Sequence, residues 1–485
     1  MLQRVLQFHV IFVIFTACLI QAGCAGPEAD DSLFPQESWR MYAAPEEAGW
    51  SSDGIATAKA IYDTSGSDAF LAVFDGAVLV SWGDVSRRYM CHSVRKSYLS
   101  ALYGAYKAEG KIDLDKTLAD LGIDDEPPLT EREKRARVGH LLRSRSGVYH
   151  AAAYETPKMK ERRPERGSKE PGEFWYYNNW DFNALCTIFE KETGIGVFEA
   201  FKSRIADPVG MEDFRLMDAY HHLESQHSIH PAYPFRMSAR DMARFGLLFL
   251  RGGKWRNREI IPEDWVKASR HAYTVETTWD GFGYGYMWWV NVDESDPKFG
   301  MYAASGYGGH MIAVLPGEDL VFVNRANTYL GEMTEKAVLL RLIDAFLEAR
   351  VSSPKAAPKL LSLGILGGER GAQERPAPEP DSRVKLGDYA ASFEFEGEKV
   401  FVETIPYVIG DMIGRRVRIE PAGDHAIMTD DLGQKFVLTP LSKTEFLIED
   451  MEIPAVFELD DGGLPVGITL DAGPAWRVFG RRTGE

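Results

Sequence analysis

The spacing of apolar residues changes character once along the chain, and that change limits the folds open to it. Up to Arg350, helix-period and strand-period runs alternate; from Lys385 to the end only strand-period runs remain. Between them, residues 352–384 hold Pro354, Pro358, Pro376, Pro378 and Pro380 with Gly364, Gly367, Gly368 and Gly371, the composition of a linker. A chain of 485 residues is also longer than one core usually supports. The expected organisation is an α+β domain over 33–351, with an antiparallel sheet flanked by helices, a linker over 352–384, and a small all-β domain over 385–485.

Within the first domain, helix signals open at Ser93, where Val94, Tyr98, Leu102, Ala105 and Tyr106 share a face and Gly110 ends the run. Others cover Phe182–Thr193 behind Asp181, the run behind Ser238-x-x-Asp241, the segment from Pro262 to Arg270, and a closing helix from Glu335 to Arg350. Strands are expected over Tyr284–Asn291, Met311–Leu315 and Leu320–Asn324, the last two joined by a turn at Pro316–Asp319. In the second domain Tyr389–Phe395, Lys399–Thr404, Arg415–Glu420, Lys435–Leu438, Glu445–Glu449, Ala455–Leu459 and Trp476–Phe479 read as short strands of a barrel or sandwich.

At the N-terminus, Arg4, an apolar run from Val10 to Ile20 and small residues before Cys24 form an export signal. Gln21-Ala22-Gly23-Cys24 resembles a lipoprotein cleavage box, which leaves two readings: residues 1–23 removed with lipid on Cys24, or ordinary cleavage after Ala25. The first predicts a periplasmic or cell-envelope lipoprotein with a membrane tether, the second a secreted protein. The net charge of −17 argues against nucleic acid as a partner. Beyond Cys18 and Cys24 only Cys91 and Cys186 remain, too few for a disulfide framework and most simply two buried thiols.

Three segments can carry chemistry. Ser93-Val94-Arg95-Lys96 puts a hydroxyl and an amine nearly one turn apart at a helix start. A desolvated lysine can take the serine proton, and the helix N-terminus offers a backbone N–H to an oxyanion. Tyr177-Asn178-Asn179 adds a phenol, whose pKa a lysine ammonium could lower, and an amide able to fix a lysine or a substrate carbonyl. Packing for Tyr177, and a helix cap by Asn179 or Asp181, are the alternatives. Gly306-Tyr307-Gly308-Gly309-His310 before a strand can bring a substrate close to a sheet edge and expose a second N–H.

In this order the three segments resemble those of serine β-lactamases and penicillin-binding proteins. The nearer likeness is to the class C-like branch of esterases, D-amino-acid peptidases and 6-aminohexanoate oligomer hydrolases. Leu141–Gly147, Pro171-Gly172, Ser238–Gly246 and Tyr284–Trp289 look like further segments of that branch, over about residues 45–350. The C-terminal region resembles a lipocalin-like appendage. The resemblance implies Ser93 as acylated nucleophile, Lys96 and Tyr177 as shared base and acid, Asn179 as a substrate contact, and the N–H groups of Ser93 and His310 as oxyanion donors, with Tyr307, Gly308 and Gly309 lining the same edge. Where β-lactamases usually carry a carboxylate-binding lysine, this chain has Tyr307, which cannot hold an anion that way.

The implied activity is hydrolysis of an amide or ester, a linear amide such as a 6-aminohexanoate oligomer or a short-chain ester, without cofactor or metal. D-amino-acid peptidase or β-lactamase activity, and a non-catalytic ligand-binding envelope protein, are the rivals. Tyr286, Trp288, Trp289 and Tyr307 suggest an apolar pocket, with one of the two tryptophans in the core. His221, His222, His227 and His230 match no zinc spacing, the six basic residues within 158–170 read as a solvated loop or a rim for anionic substrate, and no G-x-S-x-G motif is present.

Overall fold

The computed structural model describes residues 34–363, 380–396, 413–473 and 476–484. The segment around Cys24, most of the proline-rich stretch and the expected strand Lys399–Thr404 lie outside them.

The first domain is built on a nine-stranded sheet. Its order is Leu360–Ser362, Arg40–Tyr42, Ala77–Gly83, Ala69–Phe74, Leu320–Arg325, Met311–Leu315, Tyr302–Ser305, Trp289–Asn291 and Phe282–Tyr284. Every pairing is antiparallel except that of Arg40–Tyr42 with Ala77–Gly83, so the sheet is mixed rather than wholly antiparallel. Side chains alternate across it. Phe70, Trp82 and Phe322 stack on Phe346 of the helix Lys336–Glu348, while Val321 and Ile312 face the helix Ala239–Leu250 at Gly246. The two helices therefore cover opposite faces.

Three expectations change. The strand expected over Tyr284–Asn291 is a hairpin, because Met287 at φ 60° turns the chain between Phe282–Tyr284 and Trp289–Asn291. The helix expected behind Asp181 starts earlier, at Asn179, capped by the Asn178 side chain accepting from Trp180 N at 3.2 Å. Leu360–Ser362, inside the stretch assigned to the linker, pairs with Arg40–Tyr42 as the edge strand. Proline content hid three residues that need only a partner.

The second domain is a closed barrel of eight antiparallel strands: Ala391–Glu396, Arg416–Ala422, His425–Asp430, Lys435–Pro440, Glu445–Ile448, Ile453–Leu459, Pro465–Asp471 and Arg477–Thr483. Two of these, His425–Asp430 and Pro465–Asp471, were not anticipated; the second begins with proline and contains Gly467, both strand breakers by composition. The inward side chains Phe393, Met428, Phe436, Phe446, Ile453 and Phe457 are buried together, so they fill the barrel as a core.

The barrel is docked on the first domain. Tyr89, Met90, Tyr220 and Tyr329 belong to its apolar cluster, and Trp476 Nε1 donates to Tyr329 O at 3.1 Å. Asp450, at the barrel end, accepts from Arg88 (3.0 Å) and Arg215 (3.3 Å), which also reach the buried Asp218. Cys91 and Cys186 are buried free thiols, and no helix among the described residues is long and apolar enough to cross a membrane.

Candidate active site

Ser93 lies in a single 3₁₀ turn, His92–Val94, that runs straight into the buried helix Arg95–Ala108. His92 just before it holds φ 49°, a left-handed backbone that a residue with a Cβ rarely adopts. It is kept there by Nε2 against Thr328 Oγ1 at 3.0 Å and by its ring, 5.1 Å from that of His310. Burial, with Arg325, Arg95 and Lys96 nearby, pushes its pKa down to about 3, so the imidazole is neutral at working pH.

Lys96 is 1% exposed, and its Nζ meets Ser93 Oγ at 2.8 Å, Tyr177 OH at 2.7 Å and Asn179 Oδ1 at 2.9 Å. Burial first, and the Arg95 guanidinium second, drive its pKa well below the ordinary lysine value. A neutral amine has two N–H groups and one lone pair. Asn179 Oδ1 can only accept, because its Nδ2 donates to Tyr154 O (2.6 Å) and Ala153 O (3.4 Å). One N–H is thereby committed to Asn179, a second can serve the Tyr177 oxygen, and the lone pair is left for the Ser93 proton.

Two expected roles shift. Tyr177 was expected to have a lowered pKa; burial instead pushes it up to about 12, against weaker opposing effects of Ser93 and Arg95. The phenol keeps its proton at neutral pH, and of the two groups it is the Lys96 amine that burial drives toward a free lone pair. Of the two roles open to the Asn179 amide, the lysine takes it: its oxygen accepts from Lys96 and its amide hydrogens go to Tyr154 O and Ala153 O, which leaves none for the substrate contact that the resemblance implied. Arg95 is buried, donates to Asn183 Oδ1 at 3.2 Å and sits 4.7 Å from the Tyr233 ring.

The third segment forms the opposite wall. Gly308 and Gly309 take φ of 77° and 87° within a turn over Tyr307–Gly309, and Gly306 N donates to His310 O at 2.7 Å as the chain enters Met311–Leu315. Gly306 passes so close to the turn of Ser93 that a Cβ there would sit 2.5 Å from Cys91 O and 3.2 Å from Ser93 N. The loop carrying His310 is thus pressed against the turn carrying Ser93. Tyr307 is half-buried, edge-on to His92 at 5.6 Å, and packs against the barrel cluster.

Several supports were not anticipated. Asn178 N donates to Ser144 Oγ (3.0 Å), whose hydroxyl donates to Tyr176 O (2.6 Å), and Asn178 Nδ2 donates to the buried Asp181 (2.9 Å) and Val148 O (2.7 Å). The Leu141–Gly147 segment therefore splints the loop that presents Tyr177 and Asn179. Its recurrence in the resemblance was the available signal; no chemistry in the segment itself pointed there.

A cleft of 680 Å³ opens beside Tyr177, lined by Phe174, Trp175, Tyr176, Tyr273 and Val275 together with the charged Lys158 and Arg162. Of the aromatics expected near a pocket, one tryptophan is in the core as expected, and Trp289 and Tyr286 stand beside the cleft's lining rather than in it. Trp288 is core, packed on Phe249 and Tyr302; Trp289 stacks behind Tyr177 at 5.6 Å; Tyr286 stacks on Tyr273 at 4.9 Å. Of the basic stretch, Arg163 pairs with Glu155, Arg166 with Glu133 and Lys169 with Glu173, so only part of it faces the cleft. His222 and His227 share Glu224, and His230 meets Thr187 and the Asp124 carbonyl. Cys186, Glu190 and His221 bring ligand atoms within 4.8 Å of one another, with Glu190 already accepting from Val197 N at 2.9 Å.

Three solved structures are among those to which the chain is similar. A candidate 6-aminohexanoate-dimer hydrolase from Bacillus anthracis is 20% identical, with 60% of this chain and 80% of that chain covered, at a TM-score of 0.47. A D-stereospecific amidohydrolase from Streptomyces sp. is 16% identical over 61% and 98%, at 0.46. The octameric penicillin-binding protein homologue from Pyrococcus abyssi is 16% identical over 88% and 97%, at 0.45. No curated protein matches the chain. The beta-lactamase family model matches residues 68–345, more than half of the chain and the whole span from the sheet's Ala69–Phe74 strand to its closing helix. By that match, the chain belongs to the beta-lactamase family.

Proposed function

We propose that the protein is a serine hydrolase that cleaves an amide or ester with an apolar acyl or leaving arm, through an acyl-enzyme on Ser93. The observation that carries this reading is the contact of a buried, proton-poor Lys96 amine with Ser93 Oγ at 2.8 Å. Lys96 takes the Ser93 proton as Oγ attacks the carbonyl carbon. The oxyanion forms against the N–H groups of Ser93 and His310. Tyr177, hydrogen-bonded to Lys96, passes the proton to the leaving amine or alkoxide, and the acyl group stays on Ser93 as an ester. Water, deprotonated by Lys96, then releases the acid.

The cleft beside Tyr177 supports the choice of substrate: its aromatic floor suits extended methylene chains, as in a 6-aminohexanoate oligomer, and short esters fit the same space. Tyr307 in place of a carboxylate-binding lysine disfavours β-lactams. The N-terminal segment ending at Cys24 supports export and a lipid tether as part of the same proposal. A panel of p-nitrophenyl esters, linear amides, D-amino-acid peptides and nitrocefin tests it. Turnover of esters or linear amides with nitrocefin at background is expected; nitrocefin as the best substrate, or no turnover of any, would overturn it.

A further inference from the structure

Resting on that reading, we infer that Arg325 is the positioning residue that holds the two oxyanion donors at a fixed separation. Arg325 ends the strand Leu320–Arg325 and is fully buried. All five of its N–H groups have partners. Nε donates to His310 Nδ1 at 3.0 Å, Nη1 to Met237 O at 2.6 Å and to the Met242 sulfur, and Nη2 to Tyr89 O at 2.7 Å and Met90 O at 3.3 Å. Two of these segments carry the oxyanion donors. Tyr89-Met90 leads through Cys91 and His92 into the turn of Ser93, and His310, on the loop that Gly306 brings against that turn, is the residue whose backbone N–H the proposed mechanism uses as the second donor. The third, Met237, sits where the helix Ala239–Leu250 begins.

None of the five acceptors is a carboxylate. A buried cation paired only with carbonyls, a thioether and an imidazole is costly to desolvate, so filling space does not account for an arginine here. The arrangement suits a rigid planar fork with fixed donor directions, which lysine cannot reproduce. Because Arg325 donates to Nδ1, His310 is held with its proton on Nε2 and its ring in one orientation. The loop Gly306–Gly309 is then pinned at both ends, by His310 on Arg325 and by Gly306 against Cys91 and Ser93. Oxyanion donors act in the transition state, so an error in their separation lowers kcat more than it raises KM.

The test uses the full chain with Arg325→Met and Arg325→Lys, and with the pair His310→Leu and His310→Asn; the Asn Oδ1 can accept where Nδ1 did. Steady-state kinetics on a p-nitrophenyl ester and inhibition by an alkyl boronic acid, which forms a tetrahedral adduct on an active serine, are the readouts. Arg325→Met is expected to lose about 100-fold in kcat, the scale of a misplaced catalytic group, with KM within threefold and boronic acid affinity falling in parallel. His310→Leu is expected to lose at least about tenfold more than His310→Asn, and this pair decides the matter if the Arg325 variants do not fold. Folded variants with wild-type kcat, equal losses in the His310 pair, or unchanged boronic acid affinity would overturn the clamp. A wild-type protein that takes no fluorophosphonate label overturns the hydrolase reading and the clamp with it; a labelled wild type with indifferent variants overturns the clamp alone.

Discussion

Replacing Lys96 by Met keeps most of the side-chain volume and removes the amine that meets Ser93 Oγ, Tyr177 OH and Asn179 Oδ1. Loss of a positioned general base costs about 10²–10⁴ in rate. In the proposed mechanism Lys96 serves both the nucleophile and the proton relay, so the upper half of that range applies, about 10³-fold or more, equivalent to about 4 kcal/mol of barrier. The assay is kcat/KM for a p-nitrophenyl ester between pH 5 and 10, on wild type and on Lys96→Met shown to be folded by circular dichroism. In the wild type the protonated amine has no lone pair, so activity climbs as pH rises through the lowered lysine pKa and then levels off. Tyr177, pushed up to about 12, adds no alkaline limb in that range. A Lys96→Met enzyme within tenfold of wild type, or a wild-type profile still climbing steadily to pH 10, would refute the reasoning.

Three further perturbations follow from the same geometry. Tyr177→Phe removes the relay but leaves the base; kcat on an amide should fall about 100-fold while the acid limb of the pH profile stays where it was, and a displaced limb would mean that the phenol is the base. Gly306→Ala puts a methyl 2.5 Å from Cys91 O; overpacking of this kind costs about 1–3 kcal/mol, and here it displaces the nucleophile's own turn, so esterase activity should drop at least tenfold with little change in substrate affinity. Asp450→Asn leaves Arg88 and Arg215 with one buried carboxylate in place of two; urea unfolding should show a loss of about 3 kcal/mol, and an unchanged midpoint would show that the barrel is not held by this pair.

The cluster of Ser93, Lys96, Tyr177 and Asn179 was legible because its members announce themselves chemically. Ser93 and Lys96 are one turn apart on a helix, and Tyr177 and Asn179 stand at the start of another, so local spacing puts each pair on one side before any fold is known. Relations across the fold were not legible. That Asn179 serves the lysine depends on Tyr154 O and Ala153 O reaching its amide from a distant loop. The upward shift of Tyr177 depends on burial, which no motif encodes. Arg325 lies in a strand with an ordinary apolar run ahead of it, and its five acceptors come from three separate stretches of the chain.

In the fold, long periodic elements such as the helix Lys336–Glu348 and the hairpin Met311–Arg325 follow their patterns closely. The elements that differed were those whose composition contradicts their setting. Leu360–Ser362 sits among prolines yet finds an edge to pair with, and Pro465–Asp471 carries proline at its first residue, where the missing N–H is tolerated. Tyr284–Asn291 reads as continuous strand because both of its arms are aromatic, and only the left-handed Met287 breaks it.

The account stands on Ser93 as the residue that becomes acylated, and mass spectrometry of the full chain after reaction with an alkyl fluorophosphonate tests that most directly. One adduct per chain is predicted, mapped by peptide digestion to Ser93 and absent in Ser93→Ala. An adduct on another residue, or labelling that persists unchanged in Ser93→Ala, would contradict it.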